Sequence, residues 1–165
     1  MRPFRRRGEE VVARLVDAEA DIVTLLLDQL EQLLTADRAD TGGDPVVERL
    51  FPAGHAGDPE VAADYRELTE DGLRTGKAAD LATVRATLPP DGGEVRLDPE
   101  QARAWLRTTN DLRLALGTRL GITAETEPPD DPSSDEGQQL AVYYWLTAVQ
   151  GSLVDALAGG RGGRW

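Results

Sequence analysis

Cysteine is absent from the 165 residues, which excludes disulfides, thiolate nucleophiles, Cys-based zinc sites and thiol redox switches. Histidine occurs once, at His55, so paired imidazoles for a metal or a proton relay are excluded as well. His55 stands between small residues in Ala53-Gly54-His55-Ala56-Gly57 and reads as a solvated loop residue rather than a general base. Neither a Gly-Lys-Ser/Thr loop nor a Gly-x-Gly-x-x-Gly fingerprint occurs, so nucleotide binding has no support. Carboxylates are plentiful, but neither an EF-hand spacing nor a Glu-x-x-His pair organises them. No apolar run approaches the roughly 20 residues of a membrane helix, and Met1-Arg2-Pro3-Phe4-Arg5 lacks a signal-peptide core. A soluble, cytoplasmic chain without membrane contact is expected. With these chemistries removed, the residues predict no enzyme, no cofactor and no metal.

What is present is charge. Acidic side chains number 30 against 18 basic ones, a formal charge of -12, and Lys77 is the one lysine among the basic set. Such a chain repels a polyanion on average, which disfavours nucleic acid as a partner without excluding it locally. The local exception is Arg2, Arg5, Arg6 and Arg7, four guanidinium groups ahead of the first acidic pair, Glu9 and Glu10.

Patterning predicts a mostly α, α+β domain: a helical bundle with a small antiparallel sheet of about three short strands. Phe4 to Arg6, Gly8, and Val11 to Leu15 read as a hairpin, with a third strand near 95–97. Asp17 is placed to cap a helix over about 17–36, along which Ala20, Val23, Leu26, Leu27, Leu30, Leu33 and Leu34 recur at helical spacing. Asp44-Pro45 and Asp58-Pro59 each join an N-cap carboxylate to a proline suited to the first helical position. The first helix they start is short; the second is expected to break and restart near Thr69-Glu70-Asp71. Pro89-Pro90-Asp91-Gly92-Gly93 is a turn, and Asp98-Pro99-Glu100-Gln101 opens a helix to about 120, with Gly121 as its stop. Residues 123–137 read as an acidic loop, 138–158 as a last helix, and 159–165 as a flexible tail outside a single domain spanning 1–158. Three long helices are expected on one side of the sheet.

Two residue groups stand out as candidate sites. Arg2, Arg5, Arg6 and Arg7 form a basic tip suited to an acidic protein or to DNA. Asn110, Asp111 and Arg113, with Arg119 placed on nearly the same face, form a dense polar patch expected to be a salt-bridged structural network within the helix or toward the hairpin. Trp145 joins them as a structural or interface residue, because the last helix is apolar around much of its girth. That breadth makes a homodimer a reasonable expectation.

Leu50-Phe51-Pro52, Asp58-Pro59-Glu60, Tyr65-Arg66-Glu67-Leu68-Thr69-Glu70-Asp71 with Leu73-Arg74 and Lys77, Trp105-Leu106, and the run Asn110 to Leu120 resemble an actinobacterial domain-of-unknown-function family. The resemblance covers nearly the whole chain. It implies a role in oxidative-stress transcriptional regulation, exerted with a stress sigma factor. A sensing mechanism based on a cysteine pair does not carry over, since this chain has no cysteine. The reading that follows is a non-enzymatic regulator contacting a sigma factor or RNA polymerase. The alternatives are a winged-helix-like DNA binder using the arginine hairpin, and a helical homodimeric scaffold.

Overall fold

The computed structural model describes residues 1–36, 43–51 and 59–159, with the backbone alone for 59–69. His55, Asp58 and the tail from 160 onward lie outside the described residues.

β1 (Arg2–Arg7) and β2 (Glu10–Leu15) form the expected hairpin, and β3 (Gly93–Leu97) pairs antiparallel with β2, giving the order β1-β2-β3. Strand alternation sorts the side chains by face. Val11, Ala13 and Leu15 face inward beside their register partners Leu97, Val95 and Gly93. They meet the helices there, and the other face of the sheet is left to solvent.

Five helices are described: α1 (Asp17–Thr35), α2 (Pro45–Leu50), α3 (Pro59–Thr87), α4 (Pro99–Leu120) and α5 (Asp135–Ala158). α3, α4 and α5 back the sheet, whereas α1, the helix that directly follows β2 and is expected from the sequence to cover the sheet, packs chiefly on α3. Phe4 of β1 reaches the Trp105 ring of α4 at 5.4 Å, and the Trp105 indole N–H donates to Thr87 Oγ1 of α3 at 2.7 Å. The backbone N–H of Phe4 donates to Ser152 Oγ of α5 at 3.2 Å, tying the sheet edge to the last helix. Val11, Leu27, Val84, Val95, Leu97, Leu146 and Leu153 are fully buried in one cluster. No helix among the described residues is long and apolar enough to cross a membrane.

Several boundaries differ from the sequence expectation. Asp17 is the first helical residue of α1 rather than its cap; Val16 holds that position, and its N–H donates to the Glu19 carboxylate at 2.8 Å. The carboxylate three residues along thus supplies half of a capping box. α3 runs unbroken through Thr69-Glu70-Asp71 and through Gly72 and Gly76. Tertiary contacts offset the poor helix propensity of the glycines: Arg74 donates to the Leu33 and Leu34 carbonyls at the end of α1 and lies over the Phe51 ring, and Leu81 and Val84 are buried. The acidic loop is shorter than 123–137, because Ser134 caps α5 by accepting the Gly137 N–H at 3.0 Å, which draws Asp135 and Glu136 into the first turn. Their negative charge suits the positive end of the helix dipole. At the far end of α4 the cap is as expected, with Gly121 left-handed at φ +65°.

Candidate partner-binding face

The outer face of the sheet gathers three of the N-terminal arginines with two that lie further along the sequence. β1 carries a bulge: Arg2 is opposite Arg14 and Arg5 is opposite Val12, so three steps on β1 match two on β2. One extra residue restores parity, which places Arg2, Arg5 and Arg7 on a single face together with Arg14. Arg96 of β3 joins them as the register partner of Val12. Val12 forms the floor of this surface, 4 % exposed, in a hollow lined by Arg2, Pro3, Arg5, Arg14 and the carboxylate Glu94, the register partner of Arg14 on β3.

Arg6 does not belong to the face. Its register partner is Val11, which points to the core, and Arg6 is half-buried with its Nε donating to the Gly8 carbonyl at 3.0 Å. Alternation within a strand separates it from Arg5 and Arg7. Counting arginines in a row hid this, and hid the contributions of Arg14 and Arg96; the signal available was the period of two in each strand combined with a register that only pairing reveals.

Charge on the face is unbalanced. Arg96 pairs with Glu10 at 2.7 Å and with Glu94 at 3.2 Å, and the hydrogen bond it donates to Glu10 is the main cause raising its pKa. Arg2, Arg5, Arg7 and Arg14 are exposed and form no ion pair among the described residues. Arg2 and Arg14, directly opposite in the register, are like charges set against each other, an arrangement that costs a few tenths to about 1 kcal/mol. Guanidinium groups in this state have free donor forks that match carboxylate or phosphate oxygens two at a time.

The second candidate group does not converge. Asn110, Asp111, Arg113 and Arg119 radiate from α4, each to a different neighbour. Asp111 pairs with Lys77 of α3 at 2.8 Å, and Asn110 Oδ1 accepts from Gln150 of α5 at 3.3 Å. Arg113 donates to Thr147 of α5 at 3.1 Å and lies over the Tyr143 ring, while Arg119 donates to Gln29 of α1 at 3.1 Å. Nine residues at about 100° each put Arg119 half a turn away from Asn110, so no common face exists. The group ties α4 to the helices around it, with one ion pair across helices in place of a network within one. Trp145 packs against the core half-buried, and its indole N–H has no acceptor among the described residues.

Comparison with known proteins adds the family. The oxidative stress regulators AosR of Mycobacterium tuberculosis and of Mycobacterium bovis are each 32% identical to this chain over 152 aligned positions, covering 81% of this chain and 68% of their own length. No solved structure matches. Residues 1–157 match DUF2017, a domain of unknown function, and the chain belongs to that family.

Proposed function

We propose that the protein is a non-enzymatic regulator of the oxidative-stress response that acts by touching a protein of the transcription machinery, a sigma factor or RNA polymerase. The name of the mycobacterial relatives supports the regulatory part. The observation that carries the contact part is the outer sheet face, where the exposed Arg2, Arg5, Arg7 and Arg14 form no ion pair among the described residues and the nearby carboxylates Glu10 and Glu94 are taken up by Arg96, on a chain of net charge -12. An acidic protein segment satisfies those forks and relieves the opposition of Arg2 and Arg14. Duplex DNA offers the same oxygens but meets the repulsion of the whole acidic body. With no cysteine in the chain, the redox signal reaches the complex through the partner or through a non-thiol input.

The test is crosslinking in an actinobacterial host, with and without peroxide, using the full chain and an Arg5→Glu/Arg14→Glu variant. Recovery of a sigma factor or a polymerase subunit by the natural chain, lost in the variant, is the expected result. Equal recovery by both chains removes the sheet face from the reading. Tight capture of duplex DNA that weakens steeply with salt and fails in the variant turns the reading to the winged-helix-like alternative.

A further inference from the structure

A cleft of about 330 Å³ opens between α2, the C-terminal half of α4 and α5. Its charged lining among the described residues consists of Arg49 and Arg113, with no carboxylate among them. Neither arginine forms an ion pair among the described residues. Two arginines line one hollow of an acidic protein with terminal nitrogens that no carboxylate among the described residues occupies, and such donors match the oxygens of an anion.

The hollow is built, and its construction can be followed residue by residue. Gly117 stands in the last turn of α4, where glycine is a poorer helix former than alanine. A Cβ there would lie 2.9 Å from Cε2 of Tyr143, so the missing side chain makes the seat for that ring. Arg113 lies over the same ring at 5.5 Å, and its Nε is spent on Thr147 Oγ1 at 3.1 Å. Thr147 is itself held by its hydroxyl donating to the Tyr143 carbonyl at 3.1 Å. The guanidinium plane is thereby fixed, while both terminal nitrogens stay unpaired.

The end of a helix ordinarily carries negative partial charge that repels an anion. Here two of the carbonyls responsible are already engaged, Gly117 O by the Ile122 N–H at 2.9 Å and Thr118 O by the Gly121 N–H at 3.2 Å.

We infer that this cleft is a binding site for a small, doubly charged oxyanion, a phosphate or sulfate group, held between the Arg49 and Arg113 forks. The site is separate from the arginine face of the sheet and stands or falls independently of the function proposed there.

The experiment follows the arginine Nε–Hε and backbone amide signals of the labelled full chain by NMR. Sodium sulfate, sodium phosphate and sodium chloride are titrated at matched ionic strength. Sulfate and phosphate should shift the Arg113 Nε–Hε, Gly121 and Ile122 signals saturably, with half-saturation at about 1 mM or below. Chloride should not. The stronger of the two anions identifies whether the occupant carries a phosphoryl or a sulfuryl group. Arg49→Gln, a change at an exposed position that leaves the fold in place, should weaken binding at least tenfold, and Arg49→Lys should restore part of it. Gly117→Ala, by displacing the Tyr143 ring, should weaken it as well. Equal responses to chloride, no saturation by either divalent anion, or full affinity in Arg49→Gln would overturn the assignment.

Discussion

Lys77 Nζ of α3 lies 2.8 Å from Asp111 Oδ1 of α4 and 3.0 Å from Oδ2, with the two side chains 17% and 9% exposed. The chain's one lysine is therefore spent on the most enclosed ion pair between two side chains among the described residues. A buried pair is more sensitive to losing one member than to losing both. Lys77→Met should cost about 3 kcal/mol in urea denaturation by stranding the carboxylate, whereas Lys77→Met/Asp111→Leu should return to within about 1 kcal/mol of the natural chain. Equal destabilisation by the single and double changes would show that the pair is not energetically coupled.

The same pair fixes a pH dependence. Burial is the largest influence on Asp111 and raises its pKa above the ordinary 3.8; the hydrogen bond and charge of Lys77 pull it back, and the charge of Asp80 adds to the rise. A carboxyl that holds its proton more tightly folded than unfolded contributes stability that is complete below the unfolded value and is lost as pH rises through the folded one. Between 3.8 and that raised value, the natural chain should lose stability relative to Lys77→Met/Asp111→Leu as pH increases. Parallel curves of stability against pH for the two proteins would contradict this.

The sequence carried much of the fold, because local signals there agree with tertiary demand. Asp98-Pro99 with Gln101 at the third helical position marks the start of α4, and both capping hydrogen bonds form, at 2.8 Å and 3.0 Å. The hairpin and β3 follow from alternation, and the start of α2 at Pro45 from Asp44, which accepts the Val46 N–H at 2.8 Å. Glycine misled at Gly72 and Gly76, where packing by neighbours on the same helix outweighs propensity. The basic face was half legible: Arg2, Arg5 and Arg7 were named, but a bulge and a strand register decide which arginines share it, and neither is encoded in any one stretch of sequence. The cluster at Asn110 failed for a simpler reason, since residues close in a helix sequence point around its circumference.

At Gly92 a left-handed backbone passes close to the start of α1. It has φ +80°, and a Cβ there would lie 2.7 Å from the Asp17 nitrogen and 2.9 Å from the Val16 carbonyl carbon. Neither atom can move without displacing the start of α1. Gly92→Ala should cost at least about 3 kcal/mol, combining the left-handed penalty of about 1–2 kcal/mol with that collision. Gly121→Ala makes the comparison, as φ is +65° there and nothing lies within 4 Å of the added carbon. It should cost only about 1 kcal/mol. Equal losses of Tm in the two variants would mean that the close approach carries no weight.

Opposition between Arg2 and Arg14 predicts that stability and partner binding part company on the sheet face. Arg14→Thr keeps a good strand former and removes the like charge facing Arg2; Glu94, its other cross-strand neighbour, keeps its pair with Arg96, so stability should rise by about 0.5 kcal/mol. Salt should shrink the gain, since exposed charges are screened. The same change should weaken capture of an acidic partner segment and flatten the salt dependence of that capture. A fall in stability on Arg14→Thr would place this arginine among the groups that hold the sheet together.

Gly72 and Gly76 allow a change that strengthens the fold outright. Both lie inside α3, one turn apart, and nothing stands within 4 Å of the Cβ either would gain. Glycine in a helix interior costs about 1 kcal/mol relative to alanine through the extra freedom it gives the unfolded chain. Because the added methyl meets no neighbour, no packing penalty offsets that gain. Gly72→Ala and Gly76→Ala should each raise stability by about 1 kcal/mol, equivalent to roughly 2–4 °C in Tm for a chain of this length, and the double change should be nearly additive. The two positions border the same open cleft as Lys77, Asp80, Arg107 and Asp111. Measuring the Lys77–Asp111 double-mutant cycle in the Gly72→Ala/Gly76→Ala background separates the two effects: unchanged coupling there shows that the gain comes from helix propensity alone, while altered coupling shows that the glycines set the spacing between α3 and α4.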